Sequence, residues 1–309
     1  MALTINAGKI SRAVKTVIYG TEGVGKSTLA SHFPSPLFLD VEGGTSQMDV
    51  RRIETPKSWE ELISDVKEVA ADPSLCGTLV LDTADKAEGL CIEAICRKYK
   101  QNSIEAFGYG KGYTYIGEEW ARLMAAFDSC IAAGINVTVI AHARQRKIEL
   151  PDQTGSFDHW EMKLTKQAAP LLKEWADLLL FLNYKTYVVS TDNNSRKAQG
   201  GKRVMYTSHN PVWDAKNRHG LPEEMDLSFD GLKKIFENTG NTQSLSPLER
   251  LKQLMDEAGI TDYQVRKIVH LRGKYPEETP IEEYTAEFVE KFCIRYFDKI
   301  VEQIRGEEK

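Results

Sequence analysis

Short apolar runs alternate with amphipathic segments from Lys15 to about residue 185. Five of the runs are predicted strands: Val17–Tyr19, Leu37–Asp40, Thr78–Asp82, Ile135–Ala141 and Asp177–Tyr184. Helical spacing of apolar residues predicts helices at Lys26–Phe33, from Ser58 onward, at Glu118–Ala133 and at Thr165–Ala176. Strands that are apolar throughout and separated by helices indicate a mostly parallel sheet with helices on both faces. The pattern therefore predicts an α/β core.

The pattern changes after Tyr184. Lys185–Ser190 and Arg203–Thr207 are predicted antiparallel strands on either side of a polar turn, and a short helix is expected around Leu232–Phe236. The stretch 239–246 is rich in Thr, Ser, Asn and Gly, which is typical of a linker. We therefore expect a first domain over residues 1–238 and a linker over 239–246.

More helices are predicted beyond this linker. Ser246, Pro247 and Glu249 have the spacing of a cap residue, a first-turn proline and a capping-box glutamate. The next two helices are predicted at Thr261–Leu271 and Thr285–Ile304. Residues 247–309 are therefore predicted to form a small helical domain, which we expect to bind a partner or to regulate the first domain.

The composition of the chain excludes several classes of protein. Its 309 residues are 41% hydrophobic and 28% charged, which are ordinary globular values. A net charge of −5 does not suit a protein that coats nucleic acid by bulk charge, so any DNA binding needs a local basic groove. The apolar runs are too short to cross a bilayer and no secretory signal precedes them, so we expect a cytoplasmic protein. The five cysteines lack paired metal-binding spacing and are expected to be reduced structural thiols.

A glycine-rich loop follows the first predicted strand. The residues Gly20-Thr21-Glu22-Gly23-Val24-Gly25-Lys26-Ser27, followed by Thr28, fit the pattern Gly-x-x-x-x-Gly-Lys-Ser. Glycines let the backbone N–H groups of such a loop surround phosphates, and the following helix adds its positive end. Lys26 is expected to reach the β- and γ-phosphates, and the Ser27 hydroxyl is expected to bind Mg²⁺. The loop therefore predicts binding of ATP with Mg²⁺.

Carboxylates at the ends of two other strands extend this candidate site. Asp82 ends an apolar strand, at the position where a carboxylate is needed to hold Mg²⁺ through water. Hydrolysis also requires a group that orients water near the γ-phosphate, and Asp40, Glu42 and Glu22 are the candidates. We favour Glu42 because it lies just past the second strand, at the sheet edge where such folds bind ligands. His142, which follows the fourth strand, is predicted to sense the γ-phosphate.

The order of these parts resembles the RecA superfamily. Phe38-Leu39-Asp40-Val41-Glu42 resembles the strand that carries the catalytic glutamate of RecA-type recombinases, Asp82 their magnesium carboxylate and His142 their polar switch residue. The segments 107–113 and 215–222 look like those of phage-encoded, RecA-like single-strand annealing proteins. The resemblance covers about residues 10–237 and implies a RecA-like P-loop ATPase core. Histidine at the switch departs from the glutamine of bacterial RecA.

The resemblance also implies two DNA-binding segments at one edge of the sheet. The first is about Tyr99–Gly117, expected as a mobile loop, and the second is about Ala143–Leu164. Aromatic faces that stack on bases and cations that meet phosphates would bind single-stranded DNA with little sequence preference. The candidate residues are Phe107, Tyr109, Lys111, Tyr113, Arg144, Arg146 and Lys147. The alternative is that the aromatic residues pack on the protein's own surface or on a neighbouring subunit.

A third basic segment points to assembly. Lys216-Asn217-Arg218-His219-Gly220 resembles a stretch of hexameric DnaB-type helicases whose basic residues enter the ATP site of a neighbouring subunit. A cation supplied in trans neutralises charge on the transferring phosphoryl group. The resemblance thus implies a homo-oligomer, either a ring or a filament, with ATP at its subunit interfaces and Lys216 and Arg218 as catalytic residues. An exposed basic turn is the alternative.

Three functions fit these features. The first is a DNA-stimulated ATPase of phage recombination that oligomerises on single-stranded DNA, in the host cytoplasm, and promotes annealing or pairing with a single-strand binding protein as a further partner. The second is a ring helicase or helicase loader, which the segment around Lys216 and Arg218 favours. The third is a small-molecule P-loop kinase, which the lack of an arginine-rich lid disfavours. A non-catalytic, nucleotide-gated scaffold is a further alternative if Glu42 does not orient water.

Overall fold

The predicted apolar runs form the middle of one large sheet. The computed structural model describes residues 12–149, 155–190, 196–237 and 247–307. Its strands are β1 (Lys15–Gly20), β2 (Pro36–Asp40), β3 (Arg51–Arg52), β4 (Thr78–Asp82), β5 (Asn136–Glu149), β6 (Ser156–Met162), β7 (Leu178–Ser190), β8 (Arg196–Tyr206), β9 (Lys216–Asn217) and β10 (Glu224–Asp226). Their order is β10-β8-β7-β1-β5-β4-β2-β3, with β6 paired to β5 and β9 paired to β7.

The central strands of this sheet are parallel. β3, β2, β4, β5, β1 and β7 pair in parallel, whereas β8, β10, β6 and β9 are antiparallel additions. Every residue of β4 is buried. This is expected of a central strand in a parallel sheet, because helices cover both faces of such a sheet. The predicted α/β class with a mostly parallel sheet is confirmed.

Helices cover both faces of the sheet. In the first part of the chain they are α1 (Lys26–Ala30), α2 (Trp59–Ala71), α3 (Ala84–Tyr99), α4 (Lys111–Ala132), α5 (Ala168–Trp175) and α6 (Lys233–Glu237). One apolar cluster joins α2, α3, α4 and α5 to alternate residues of the strands, such as Val17 and Leu81. A second cluster joins α1 and α6 to the opposite strand face, which includes Ile18 and Leu180. The alternation of strand side chains thus divides the core into two layers.

Several elements differ from their predicted extents, and β8 begins at Arg196 instead of Arg203 because it pairs with β7. β5 continues for eight residues beyond its apolar part, as far as Glu149, because it pairs with β6 in a hairpin. The predicted strands Asp177–Tyr184 and Lys185–Ser190 are one strand, β7, with a register shift at Lys185. α4 begins at Lys111 instead of Glu118, and Gly112 permits this because a Cβ there would lie 2.4 Å from the Ile104 carbonyl oxygen.

The chain divides into two units, Met1–Asn241 and Thr242–Lys309. The second unit contains α7 (Pro247–Ala258), α8 (Asp262–Leu271), α9 (Ala286–Phe288), a π-helical segment (Val289–Ile294) and α10 (Phe297–Glu307) around its own apolar cluster. The last three occupy the place of the single predicted helix Thr285–Ile304. The predicted linker 239–246 lies outside the described residues. Within the described ranges, no helix is both long and apolar enough to cross a membrane.

The cysteines fit the expectation of structural thiols. All five are free, and Cys76, Cys91, Cys130 and Cys293 are buried. Burial raises the pKa of Cys76 to about 11 and that of Cys130 to about 12. These buried thiols therefore stay protonated near neutral pH and behave as small apolar side chains.

Candidate nucleotide site

The predicted phosphate-binding loop lies between β1 and α1, at the carboxyl edge of the sheet. Gly23 and Gly25 have φ angles of 69° and 107°, which few other residues adopt. Gly20 has no room for a side chain, because a Cβ would lie 2.3 Å from the Leu182 carbonyl oxygen on the neighbouring strand. The loop thus needs glycine where the sequence pattern has it, and its backbone turns sharply into the start of α1.

The side chain of Lys26 is buried inside this loop. Its Nζ donates hydrogen bonds to the carbonyl oxygens of Gly20 (3.2 Å) and Thr21 (2.9 Å). Burial lowers the pKa of Lys26, and the negative charge of Asp82 opposes that shift. An anion in the loop would compensate a cation that is otherwise only partly compensated by carbonyl dipoles.

Ser27 and Asp82 meet as the predicted magnesium pair. The Ser27 hydroxyl donates to the Asp82 carboxylate at 2.6 Å. Burial raises the pKa of Asp82 to about 6, even though the Ser27 hydrogen bond lowers it. A hydroxyl and a carboxylate are the hard oxygen ligands that Mg²⁺ prefers. The pair therefore fits Mg²⁺ by both its chemistry and its spacing.

Of the three candidate carboxylates, Glu22 and Glu42 line the cleft, whereas Asp40 is used by a turn. Asp40 accepts hydrogen bonds from Gly43 N (2.7 Å), Thr45 N (2.9 Å) and Thr45 Oγ1 (2.6 Å). Burial would raise the pKa of Asp40, but these hydrogen bonds outweigh it and lower the pKa. Asp40 therefore shapes the turn after β2, and Glu22 is exposed in the loop. The Glu42 carboxylate lies 3.4 Å from Thr83 Oγ1 and 3.9 Å from His142 Nε2.

His142 is held in one orientation by Asp85, which sequence reasoning missed. The Asp85 carboxylate lies 2.9 Å from His142 Nδ1 and accepts from the His142 backbone N–H at 3.0 Å. Burial raises the pKa of Asp85, but the contacts with His142 outweigh it and lower the pKa to about 2. Because an ionised carboxylate only accepts, Nδ1 carries the hydrogen and Nε2 faces Glu42. An acidic residue in the first turn after Asp82 was the available signal.

These groups surround one open cleft of about 470 Å³. It is lined by Glu22, Gly23, Gly25, Lys26, Ser27, Thr28, Glu42, Gly44, Asp82, Thr83 and His142. The structure thus brings together the predicted phosphate loop, the predicted magnesium pair, Glu42 and His142. A buried lysine, a buried carboxylate and loop amides are suited to bind a phosphorylated ligand together with a divalent cation.

The second predicted DNA segment is a β-hairpin instead of a loop. Arg144 Nε donates to Glu161 Oε1 across β5 and β6 at 2.9 Å, and Arg146 lies 4.0 Å from the same carboxylate. Lys147 is exposed opposite Asp158. The hairpin therefore presents cations that are partly balanced by acidic neighbours. Residues 150–154, where the two strands connect, lie outside the described residues.

The first predicted DNA segment is mostly packed against itself. The rings of Tyr99 and Tyr115 stack at 4.6 Å, and Phe107 packs edge-on against both. Tyr113 donates to Glu105 at 3.0 Å, which uses its hydroxyl. The segment comprises the end of α3, a connection over residues 100–110 that contains one helical turn at Glu105–Phe107, and the start of α4. Tyr109 is the exception, since its side chain is fully exposed. Lys111 lies on the first turn of α4, with Nζ 5.9 Å from the Tyr115 ring centre.

Lys216 and Arg218 lie at the opposite edge of the sheet from the phosphate loop. Lys216 pairs with Leu179 near the start of β7, whereas Leu182 lies beside Gly20. Lys216 Nζ donates to the carbonyl oxygens of Lys173 and Glu174, at 3.1 and 2.9 Å. Arg218 contacts Asp177 at 2.8 Å. The two side chains therefore cannot serve the phosphate loop of their own chain.

Two further side chains near the loop had no sequence signal. Tyr184 donates its hydroxyl to the Gly23 carbonyl oxygen at 3.1 Å. Arg203, on β8, approaches Gly25 closely. Its guanidinium lies 3.2 Å from the point where a Cβ would be if residue 25 had a side chain. Both come from the antiparallel strands added beside β1, so their proximity depends on tertiary pairing.

Comparison with known proteins gives one extensive match. The family model AAA_24, described as an AAA domain, matches residues 12–219, which is more than half of the chain. The SPbeta prophage-derived uncharacterized protein YorG of Bacillus subtilis (strain 168) is 24% identical over 136 residues, or 42% of this chain and 41% of that protein. The chain therefore spans about two fifths of the length of that curated relative.

Two solved structures are similar at low identity. The KaiC-like protein PH0186 from Pyrococcus horikoshii OT3 has a TM-score of 0.36 and 11% identity, over 63% of this chain and 79% of that chain. The flagellar accessory protein FlaH from Methanocaldococcus jannaschii has a TM-score of 0.33 and 13% identity, over 64% of this chain and 87% of that chain.

The raised pKa of Asp82 generates a prediction about stability. Because folding raises this pKa from 3.8 to about 6, the carboxyl opposes folding increasingly as the pH rises through that interval. Without Mg²⁺ or nucleotide, Asp82→Asn should raise the free energy of unfolding at pH 8 by about 3 kcal/mol. The gain should shrink toward pH 3, where Asp82 is mostly protonated in both states. Urea unfolding followed by tryptophan fluorescence measures this, because all five tryptophans belong to the first unit.

The exposed Asp49 provides the matched control. Asp49→Asn should leave unfolding unchanged at both pH values, because the exposed side chain of Asp49 is in contact with water in the folded as well as the unfolded chain. Destabilisation by Asp82→Asn at pH 8 would contradict the assignment of a buried, uncompensated charge.

Proposed function

The chain belongs to the AAA domain family of P-loop ATPases, and we propose that it assembles on single-stranded DNA, hydrolyses ATP there, and promotes annealing or pairing of strands. The observation that carries the proposal is the continuity of β5. This strand runs from His142, at the nucleotide cleft, into the hairpin that bears Arg144, Arg146 and Lys147. The same strand thus connects a phosphate-binding cleft to a row of exposed cations.

Hydrolysis follows from the groups around the cleft. Mg²⁺ held by Ser27 and Asp82 would supply charge neutralisation on the phosphates when bound. Lys26 exchanges the loop carbonyls for phosphate oxygens and stabilises the charge that develops there. Glu42 orients and deprotonates the attacking water, because its carboxylate is at the cleft and, unlike Asp40, is not used by a turn.

His142 is the group that reports the state of the γ-phosphate to the hairpin. Its Nε2 faces Glu42, and its backbone N–H is held by Asp85 on the first turn of α3. The next turn of α3 holds the segment that follows the other strand of the hairpin, since Glu88 accepts from Thr165 N and Thr165 Oγ1 at 3.0 and 2.6 Å. One helix therefore contacts the start of the hairpin and the segment that follows it, and it begins two residues after Asp82.

Lys216 and Arg218 act on the ATP of a neighbouring subunit in this proposal. About four residues of β7 separate their edge of the sheet from the phosphate-loop edge, or roughly 13 Å. The Arg218 guanidinium is about half exposed, so a second copy can reach it. A ring or a filament that stacks one edge against the other would complete each site.

The same arrangement supports a second candidate, a ring helicase or helicase loader. Both functions use ATP at subunit interfaces, and the position of Lys216 and Arg218 favours them equally. Both functions also involve single-stranded DNA as the ligand and a single-strand binding protein as a partner. Strand annealing without ATP-driven unwinding of a duplex would favour the recombination function, and unwinding would favour the helicase. A small-molecule P-loop kinase is the remaining alternative, and it predicts an ATPase indifferent to DNA.

Exchange of Glu42 tests the assignment of the water-orienting group. Glu42→Gln should retain Mg·ATP affinity within about twofold and lose at least about a hundredfold in ATPase turnover, because the amide cannot take a proton. Glu22→Gln is the matched control, since Glu22 lines the same cleft but is exposed in the loop. Equal losses for both variants, or loss with Glu22→Gln alone, would contradict the role of Glu42.

The hairpin cations generate a prediction about DNA. ATPase turnover should rise with single-stranded DNA and the rise should weaken with salt, because binding releases counterions from phosphates. Arg146→Ala with Lys147→Ala should reduce the slope of log affinity against log salt by about 1.4 and abolish most of the stimulation. Lys57→Ala with Lys67→Ala removes two exposed cations elsewhere and should change neither quantity. An ATPase that no nucleic acid stimulates would support the kinase alternative.

Arg218 tests the intersubunit site. Arg218→Ala should keep nucleotide binding but lose most of the assembly-dependent ATPase, about 10³-fold in turnover, because a trans cation is lost. Arg12→Ala is the matched control, since Arg12 also contacts Asp177, at 3.0 Å. Mixing Arg218→Ala with Lys26→Ala subunits should restore part of the activity. Undiminished ATPase in assembled Arg218→Ala protein would exclude the trans role.

A further inference from the structure

A second cavity, of about 370 Å³, lies next to the phosphate loop. It is lined by Thr28, Leu29, His32, Leu227, Ser228, Phe229 and Asp230. Thr28 lines both this cavity and the phosphate cleft, so the two spaces adjoin at the first turn of α1. The size falls within the range of small-molecule sites.

The geometry of the phosphate cleft sets the direction in which a nucleotide would lie. Glu42, Thr83 and His142 form one side of the cleft, where the γ-phosphate and the attacking water belong. Lys26 and Ser27 reach the β- and γ-phosphates. The α-phosphate and the nucleoside must therefore leave on the remaining side, past Thr28, which is the side of the second cavity.

The walls of this cavity are suited to a flat aromatic ligand. Phe229 is fixed by ring contacts with Phe33 at 5.3 Å and Phe236 at 5.7 Å, so its position is set before any ligand arrives. Leu227 approaches the phosphate loop itself. Its Cδ2 lies 3.4 Å from the point where a Cβ would be if residue 25 had a side chain. An aromatic ring and a leucine gain by covering the face of a base.

The polar groups at the rim of the cavity accept hydrogen bonds. His32 Nδ1 lies 2.7 Å from the Thr28 carbonyl oxygen, so this nitrogen donates and Nε2 is left as an acceptor in the neutral ring. Asp230 is exposed, and one of its oxygens accepts from Ser228 Oγ at 2.8 Å. Acceptors of this kind match the exocyclic amine of a purine.

We propose that the cavity formed by His32 and residues 227–230 is the subsite for the purine base of the nucleotide. The proposal rests on nucleotide binding at the phosphate loop and adds the group that distinguishes a nucleoside triphosphate from inorganic tripolyphosphate. The segment 227–230 lies between β10 and α6. It therefore connects base recognition to the antiparallel edge of the sheet instead of to the strands that carry Glu42 and Asp82.

The test compares the affinities of the full chain for ATP and for tripolyphosphate, measured by calorimetry with Mg²⁺. Ser228→Trp fills the cavity without removing a core side chain, and it should weaken ATP binding at least about tenfold while leaving tripolyphosphate affinity unchanged. Leu227→Ala should weaken ATP binding roughly tenfold through lost apolar contact. Leu221→Ala is its matched control, because Leu221 packs against the same apolar cluster but does not line the cavity.

The possible outcomes are distinct. Wild-type affinity of Ser228→Trp for ATP would overturn the base subsite, and so would an equal loss of ATP and tripolyphosphate binding in both cavity variants. Failure of the wild-type chain to bind either ligand would instead overturn the proposed ATPase function. Selective loss of ATP binding in Ser228→Trp and Leu227→Ala, with Leu221→Ala unaffected, would establish the subsite.

Discussion

The parallel register of the central strands is the constraint on which the site depends. Asp40 pairs with Asp82 across β2 and β4, and Gly20 pairs with His142 across β1 and β5. Since parallel strands end at the same edge, groups separated by more than a hundred residues along the chain meet there, and the strand ends themselves position them. Both faces of these strands are buried, so a slip by one residue would move side chains from one packed layer into the other and disrupt both layers. Packing of the core therefore fixes the register, and the register fixes the relative positions of the site residues.

Several carboxylates lie close together at this edge, where they repel one another and are partly removed from water. Each of them is stabilised in a different way. Asp40 accepts hydrogen bonds from the turn after β2, and Asp85 accepts them from His142, so both stay ionised away from bulk water. Asp82 has only the Ser27 hydroxyl and the charge of Lys26 nearby, which leaves its ionised form undercompensated. Glu42 is partly exposed and keeps its solvation. The arrangement favours a cation between Ser27 and Asp82, and Glu42 is the carboxylate that we propose to act on water.

The sequence was informative where a local pattern sufficed. Continuous apolar runs predicted β1, β2 and β4, and the glycine pattern predicted the phosphate loop, because both depend on residues close together in the chain. The start of α4 was missed because Gly110 and Gly112 disfavour a helix, yet Gly112 is required there by the close approach of Ile104. The polar half of β5 carries no apolar alternation, so only its pairing with β6 makes it a strand. Asp85, Arg203 and the cavity at residues 227–230 come from elements whose proximity to the loop depends on the complete sheet.

The two edges of the sheet give the chain a polarity that bears on assembly. The phosphate loop, Glu42 and the hairpin lie at the carboxyl edge, while Lys216 and Arg218 lie near the start of β7 with Asp177. The Arg218 guanidinium is about half exposed and its partner carboxylate is nearly buried, so the pair holds the cation near the surface without burying it. Asp177 also contacts Arg12 at 3.0 Å, so it would keep one cationic partner if Arg218 moved to a phosphate. A cation held in this way, at an edge that its own loop cannot use, is suited to a site completed by a second copy of the chain.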